Sequence, residues 1–361
     1  MPAAENSPAT YSATPTVRLD GEENERLASL ITAMDMTEQT GGMSSLELRL
    51  TNVASLTDGG AETAFDADGD LELGSEIIIG AGDTTAPVEI FRGTITALEG
   101  EFTEDRAPAL VVLAEDALQR TRLARRTKVF ENSSLADIVR SVASLHGLTP
   151  QISGLDQNFG TQVQMNESDL AFLRRLLARV DADVQIVGME LHASPRAAVR
   201  RGELELELGP QLKCVRVIAD LAHQVTAATV KGWDVSSGSA VDADGQDNAL
   251  GPGDGQKSAE ILQDKFSGRK HHSGHLASFN QSEVTAIANA IRNGRARRFV
   301  RVIATAEGNP ALRVGTHVRL TGLPKWFANT FYVVKARHLF DLKEGYRVEF
   351  EGECALLGRQ G

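Results

Sequence analysis

The feature that most constrains this chain is a set of short runs in which apolar and polar residues alternate, separated by glycine-rich turns. In GMSSLELRLTNV, Leu46, Leu48 and Leu50 alternate with polar residues as in a half-buried strand. TVRLDG precedes this run, and ELGSEIIIGAG, VEIFRGTITALEGEF and PALVVLAEDAL follow it. Such spacing predicts an antiparallel barrel or sandwich over residues 15–125, behind a flexible polar tail at 1–14.

After residue 125 the period changes. In NSSLADIVRSVASLHG the residues Leu135, Ile138, Val139, Val142 and Leu145 fall at helical spacing, behind cap candidates Asn132 to Ser134 and before Gly147. A second helix is predicted in NESDLAFLRRLLARVDA, with Asn166 or Ser168 as cap, leading into the strand-like VQIVGMELHA. Residues 126–205 therefore read as a small α+β domain inserted in a β protein.

Strands resume at GELELELG, and those over 206–235 are expected to return to the first barrel. Residues 236–282 lose apolar periodicity and read as a linker or surface loop. A helix, EVTAIANAIRNG, then opens a second β block over 283–361. That block resembles the first. Gly74 to Ile79 matches Gly315 to Leu320, and Phe91, opening FRGTITALE, matches Phe331, opening FYVVKARH. The fold class expected is mainly β with α+β insertions, containing two similar antiparallel β-barrels.

Composition narrows the function classes. No apolar run approaches the roughly 18 residues that cross a bilayer, and the N-terminus has no secretory pattern, so synthesis and folding in the cytoplasm are expected. Cys214 and Cys354 are the only cysteines, too few for a disulfide scaffold, and both are expected to be buried thiols in strands. Residues 1–110 hold 21 of the 49 acidic groups but only 5 of the 37 basic ones. An acidic first domain repels polyanions, and the basic runs at 120–128 and 292–301 lack aromatic interleaving, so nucleic-acid recognition is not expected.

Individual motifs fail on detail. Asp66, Asp68 and Asp70 resemble a calcium loop, but Leu71 and Ile77 occupy the positions of its glycine and bidentate acid. VDADGQDNALG fails at Asp247, and in LGPGDGQKS Gln256 separates Gly255 from Lys257, which spoils a phosphate loop. His271, His272 and His275 lie in a Gly/Ser-rich stretch with no cysteine near, and exposed histidines are expected there in place of a zinc site. No nucleophile elbow or metalloprotease helix is present, and no catalytic residue, metal or cofactor is assigned. A carbohydrate- or peptidoglycan-active β protein, with its acids in the first domain, remains the alternative class.

IFRGTITALEGEF, ESDLAFLRRLLARVDADVQIVG, QVTAATVKGWD, GNPALRVGTHVRLTGLPKWFANTFYVVKARHLFD and YRVEFEG, taken in order, resemble the phage late control D family. That family includes baseplate hub proteins of contractile phage tails and of tail-like extracellular injection systems. It is related to the first part of the valine-glycine-repeat spike proteins of type VI secretion. The resemblance implies a non-enzymatic homotrimer joining a sixfold inner tube to a threefold spike, with tube proteins, a separate spike protein and other baseplate components as partners. It implies location in an assembled tail or released particle. The spike is expected to be a separate protein because the chain stops at Gly361. From the residues themselves, Trp326 and Phe327 in GLPKWFANT are the candidate interface anchors, with Lys325 at the rim.

Overall fold

Most of the alternating runs join one sheet. The structure, a computed structural model, describes residues 14–55, 61–62, 64–65, 71–83, 86–234, 237–278 and 280–358. In Ser45–Thr51, Leu46, Leu48 and Leu50 are buried while Ser45 and Glu47 face solvent, as period-two alternation requires. This strand lies in a module whose order is Ile31–Gln39, Ser45–Thr51, Arg106–Glu115, Pro87–Thr103, Glu76–Gly82 and Thr16–Leu19, antiparallel throughout.

A second module repeats that order with Leu212–Ala219, Val300–Glu307, Gly345–Cys354, Thr330–Asp341, Thr316–Thr321 and Gly202–Glu207. Only its last pairing, Gly202–Glu207 with Thr316–Thr321, is parallel. Even the irregularities coincide. Ile31 faces Leu50 before a bulge at Thr32, and Leu212 faces Ala306 before a bulge at Lys213. Likewise Thr94 faces Glu115 before a bulge at Thr96, and Tyr332 faces Glu353 before one at Val334. The two modules are thus structural repeats, and the bulges fix the counterpart of each residue.

Gly74 and Gly315 are counterparts, both at positive φ, because Ile77 faces Gly93 as Val318 faces Phe331. The same register corrects one expected equivalence. Phe331 stands where Gly93 stands, two residues beyond Phe91. A Cβ on Gly93 would come within 2.6 Å of the Phe91 ring, so both phenylalanines fill the same space from different positions. The modules share a hydrogen-bonded sheet of 13 strands, joined where Thr330–Asp341 pairs with Ile31–Gln39. They also share a core: Leu48, Ile79 and Val112 of the first belong with Val302, Phe331 and Phe350 of the second.

Two insertions interrupt the sheet. Between the modules, helices Leu135–Leu145 and Asp169–Ala178 pack on short strands around Phe130, Phe172, Leu173 and Val184, with the Phe130 and Phe172 rings stacked 5.4 Å apart. Ser134 caps the first helix in a capping box with Asp137, and Ser168 caps the second. Inside the second module, Ala227–Asp234, Ser239–Asp244 and Lys270–Ser278 form a separate sheet. Helix Gln281–Arg297 covers it through Val284, Ile287 and Ala288.

Two sequence expectations need correction. Within 206–235, Leu206 and residues 212–219 pair in the second module, not the first, and 227–234 sit in the separate sheet. Segment 236–282 is no linker: it contributes strands and the helix Ser258–Phe266. Its apolar signal is weak because that helix buries only Ser258 and Leu262, and the separate sheet draws much of its core from the helix laid over it.

Candidate functional site

The buried ionisable groups are held by partners that knit the parts together. Glu38, at the end of Ile31–Gln39, accepts from Arg313 Nε at 2.9 Å and Nη2 at 2.7 Å and from the Val314 N–H at 2.6 Å. Burial raises the Glu38 carboxyl, but the Arg313 guanidinium outweighs it and holds the group below its ordinary range. Beside it the His338 Nδ1 and the Tyr346 hydroxyl are 2.7 Å apart. Burial, reinforced by the Arg313 charge, pushes His338 down to about 3, so it is neutral at pH 7. This cluster lies across the joint between the modules and serves as a clamp.

A second cluster ties both insertions to the sheet. Arg297, on the long helix, donates to Asp181 at 2.7 Å and to the Ala249 carbonyl at 2.8 Å, and pairs with Glu353 at 3.3 Å. Arg196 pairs with Glu353 at 2.6 Å and lies 4.8 Å over the Tyr332 ring. Arg292 of the same basic run is buried against Asp247 and the Val225 carbonyl. These arginines of 292–301 therefore act within the fold.

The remaining motif residues fall as follows. His271 and His272 are neighbours on Lys270–Ser278, and His271 is lowered by burial and by Arg295. The His275 side chain and Asp66, Asp68 and Asp70 lie outside the described residues. Lys257 enters a two-residue pairing with Leu356, and Asp247 bridges Lys257 to Arg292. Asp116 is the one first-module carboxyl among the described residues raised to about 6 by burial; it accepts from the Ser44 and Leu118 N–H groups. The cavity it lines with Met36, Ser44 and Phe91 holds about 60 Å³, against the roughly 300 Å³ where ligand pockets begin. Among the described residues no cluster of metal-ligating side chains is found, and no helix is long and apolar enough to cross a membrane.

The candidate anchors separate in the structure. The GLPKWFANT turn is closed by the Phe327 and Ala328 N–H groups donating to the Pro324 carbonyl, and Gly358 donates to the Trp326 carbonyl. Phe327 is half-buried, whereas Trp326 is 44% exposed. Cys354 is buried as expected, but Cys214 is exposed, because Leu212–Ala219 ends the sheet and has one neighbouring strand among the described residues.

Sequence reading found that strand but not that it is an edge, and it missed a second edge. Pro87–Thr103 pairs with Glu76–Gly82 only through Thr94, so beyond the bulge one of its edges has no partner among the described residues. Near its tip Phe102 is 70% exposed. A single phenylalanine within the acidic run EGEFTED was the available signal.

The fold defines a class: a mainly β chain of two equivalent sheet modules with α+β insertions. By sequence the chain belongs to the family of the Alg8 N-terminal domain, which matches residues 25–341. No curated protein matches it. Among solved structures the fold is similar to a 43 kDa tail protein of prophage MuSo2 from Shewanella oneidensis, at 12% identity and a TM-score of 0.69, covering 95% of this chain and 98% of that one. It is similar to a tail protein from Neisseria meningitidis MC58, at 10% identity and a TM-score of 0.66, covering 95% and 97%. It is also similar to a type VI secretion component of E. coli, at 11% identity and a TM-score of 0.57, covering 92% and 76%.

Proposed function

We propose that the chain is a structural baseplate hub of a contractile tail or tail-like injection particle. The observation that carries this reading is the repeat of one strand order, with its bulges, in two joined modules. A chain so built offers two near-equivalent surfaces, and three copies offer six, which suits an adaptor between a sixfold inner tube and a threefold spike. The likeness of fold to tail and type VI secretion proteins and the resemblance to the late control D family support it. The partners proposed are two further copies, a spike protein, inner tube proteins and other baseplate components. The chain is made in the cytoplasm and carried into the particle.

Mass measurement of the assembled particle is the test: three copies per hub are expected, and two or six would refute it. A carbohydrate-cleaving role has less support. Glu38 is locked to Arg313, the cavity at Asp116 admits a few waters and no sugar ring, and in the larger first-module cavity of about 430 Å³ the carboxylate of Glu101 is paired with Arg49. Incubation with cell-wall material is expected to release no sugar fragments, and reproducible release would overturn the structural reading. Trp326 and Phe327 are proposed to bury against a neighbouring copy or an axial partner. Replacing both with Ala should prevent assembly and leave the isolated chain folded; persistent assembly, or a large loss of stability in the isolated chain, refutes the interface role.

A further inference from the structure

The joint inside the chain has a counterpart that the single chain leaves open. Within the chain, the fourth strand of the second module pairs antiparallel with the first strand of the first, from Lys335 opposite Gln39 to Asp341 opposite Ala33. The bulges make residues 97–103 the counterparts of 335–341, and residues 214–219 the counterparts of 33–38. Both counterpart segments have an unpaired edge among the described residues.

Phe340 and Phe102 are counterparts, yet Phe340 is 5% exposed at the closed joint and Phe102 is 70% exposed. Phe340 lies opposite Met34, whose counterpart is Val215. Charge is matched with its signs exchanged. Arg337 Nε donates to Asp35 at 2.9 Å across the closed joint. Their counterparts are Glu99 and Arg216, both exposed and without an ion pair among the described residues.

We propose that residues 97–103 of one copy pair antiparallel with strand 212–219 of a second copy, in the register of the internal joint. Phe102 then faces Val215, Gly100 faces Val217, Thr103 faces Cys214, and Arg216 reaches Glu99. An open strand edge, with its row of unpaired N–H and C=O groups, is a ready template for another strand. Because the two edges differ, each copy offers one edge to the copy before it and the other to the copy after it, a head-to-tail contact that closes into a ring. The Glu38, Arg313 and His338 clamp is not repeated there, since the counterparts of Glu38 and His338 are Ala219 and Gly100, so the joint between copies can open while the internal one stays shut. The proposal rests on the hub assignment for the number of copies in the ring, not for the pairing.

The native Cys214 supplies the test. The Thr40 N–H donates to the Val334 carbonyl, so alternate rungs place Ala33 and Asp341 at a position without mutual hydrogen bonds. Opposite residues at such positions come close enough for a disulfide. Thr103→Cys under mild oxidation is expected to link most chains into species at multiples of the chain mass, up to that of the native oligomer, and a reductant should return single chains. Thr103→Cys combined with Cys214→Ser, and Leu98→Cys alone, should not link. Arg216→Glu should weaken the oligomer, and adding Glu99→Arg should restore it. If the unmodified protein is oligomeric by native mass and Thr103→Cys does not link, the joint is wrong and the hub assignment survives. If nothing links and the assembled particle holds a single copy of the chain, both fall.

Discussion

His338 makes the stability of the joint depend on pH in a direction that can be worked out. Its folded-state value is pushed down to about 3 from an ordinary 6.5, so the unfolded chain binds a proton between those values when the folded chain does not. The stability it contributes is complete above its unfolded value and is lost as pH falls toward 3. From about pH 7.5 to about pH 5 the loss is on the order of 2 kcal/mol by linkage. Asp116 acts in the opposite sense. Raised to about 6 from 3.8, it favours the folded state more as the solution becomes acidic. Over the same interval it returns about 1.4 kcal/mol. The two nearly cancel in the intact protein, and so the informative quantity is a difference. His338→Gln should lose less stability on acidification than the parent does, while Asp116→Asn should lose more. Urea unfolding at several pH values, with midpoints compared at constant slope, reads this directly. A His338→Gln chain whose midpoint tracks the parent at every pH would refute the assignment of a buried neutral imidazole at the joint.

Other outcomes follow from single contacts. Glu38→Ala leaves the partly buried Arg313 guanidinium without its carboxylate and should cost about 2–3 kcal/mol in urea unfolding; a cost under about 1 kcal/mol would show that water reaches the clamp. Ser134→Ala removes the side-chain acceptor of the capping box and should lower stability by about 1 kcal/mol, read most clearly as faster amide exchange in helix Leu135–Leu145. In the folded single chain, Cys214 should react promptly with a thiol reagent and Cys354 only after unfolding, since burial pushes the Cys354 thiol up to about 12. Equal rates at the two sites would contradict the burial of Cys354.

Local pattern carried the strands, the region of the two caps and the mainly β class, because alternation at Leu46, Leu48 and Leu50 and the polar residues Asn132 to Ser134 ahead of an apolar-periodic run are read over a few residues. Pairing partners are another matter. LKCVRVIA alternates equally well for either module, and only the ladder to Val300–Glu307 assigns it to the second. The same run cannot tell an edge from an interior strand, which is why Cys214 was expected inside. The repeat was visible at Gly74 and Gly315, but side-chain identity misplaced Phe331 by two residues; bulges, which leave no mark in composition, set the true register. The clamp was illegible because Glu38, Arg313 and His338 are brought together only by strand pairing across the whole chain.

The inequality of the two modules has its own consequence. Residues 40–44 join the first two strands of the first module, whereas residues 220–299, with a sheet and two helices, join the corresponding strands of the second. At the other end of the sheet the hairpins at 104–105 and 342–344 are both tight. At the end that carries the unequal joins, the proposed ring of such chains would present a tall corner and a low corner in turn. The relief at that end repeats once per chain. In the proposed hub, a body with one contact per chain would seat at that end, its order set by where a single loop was lengthened.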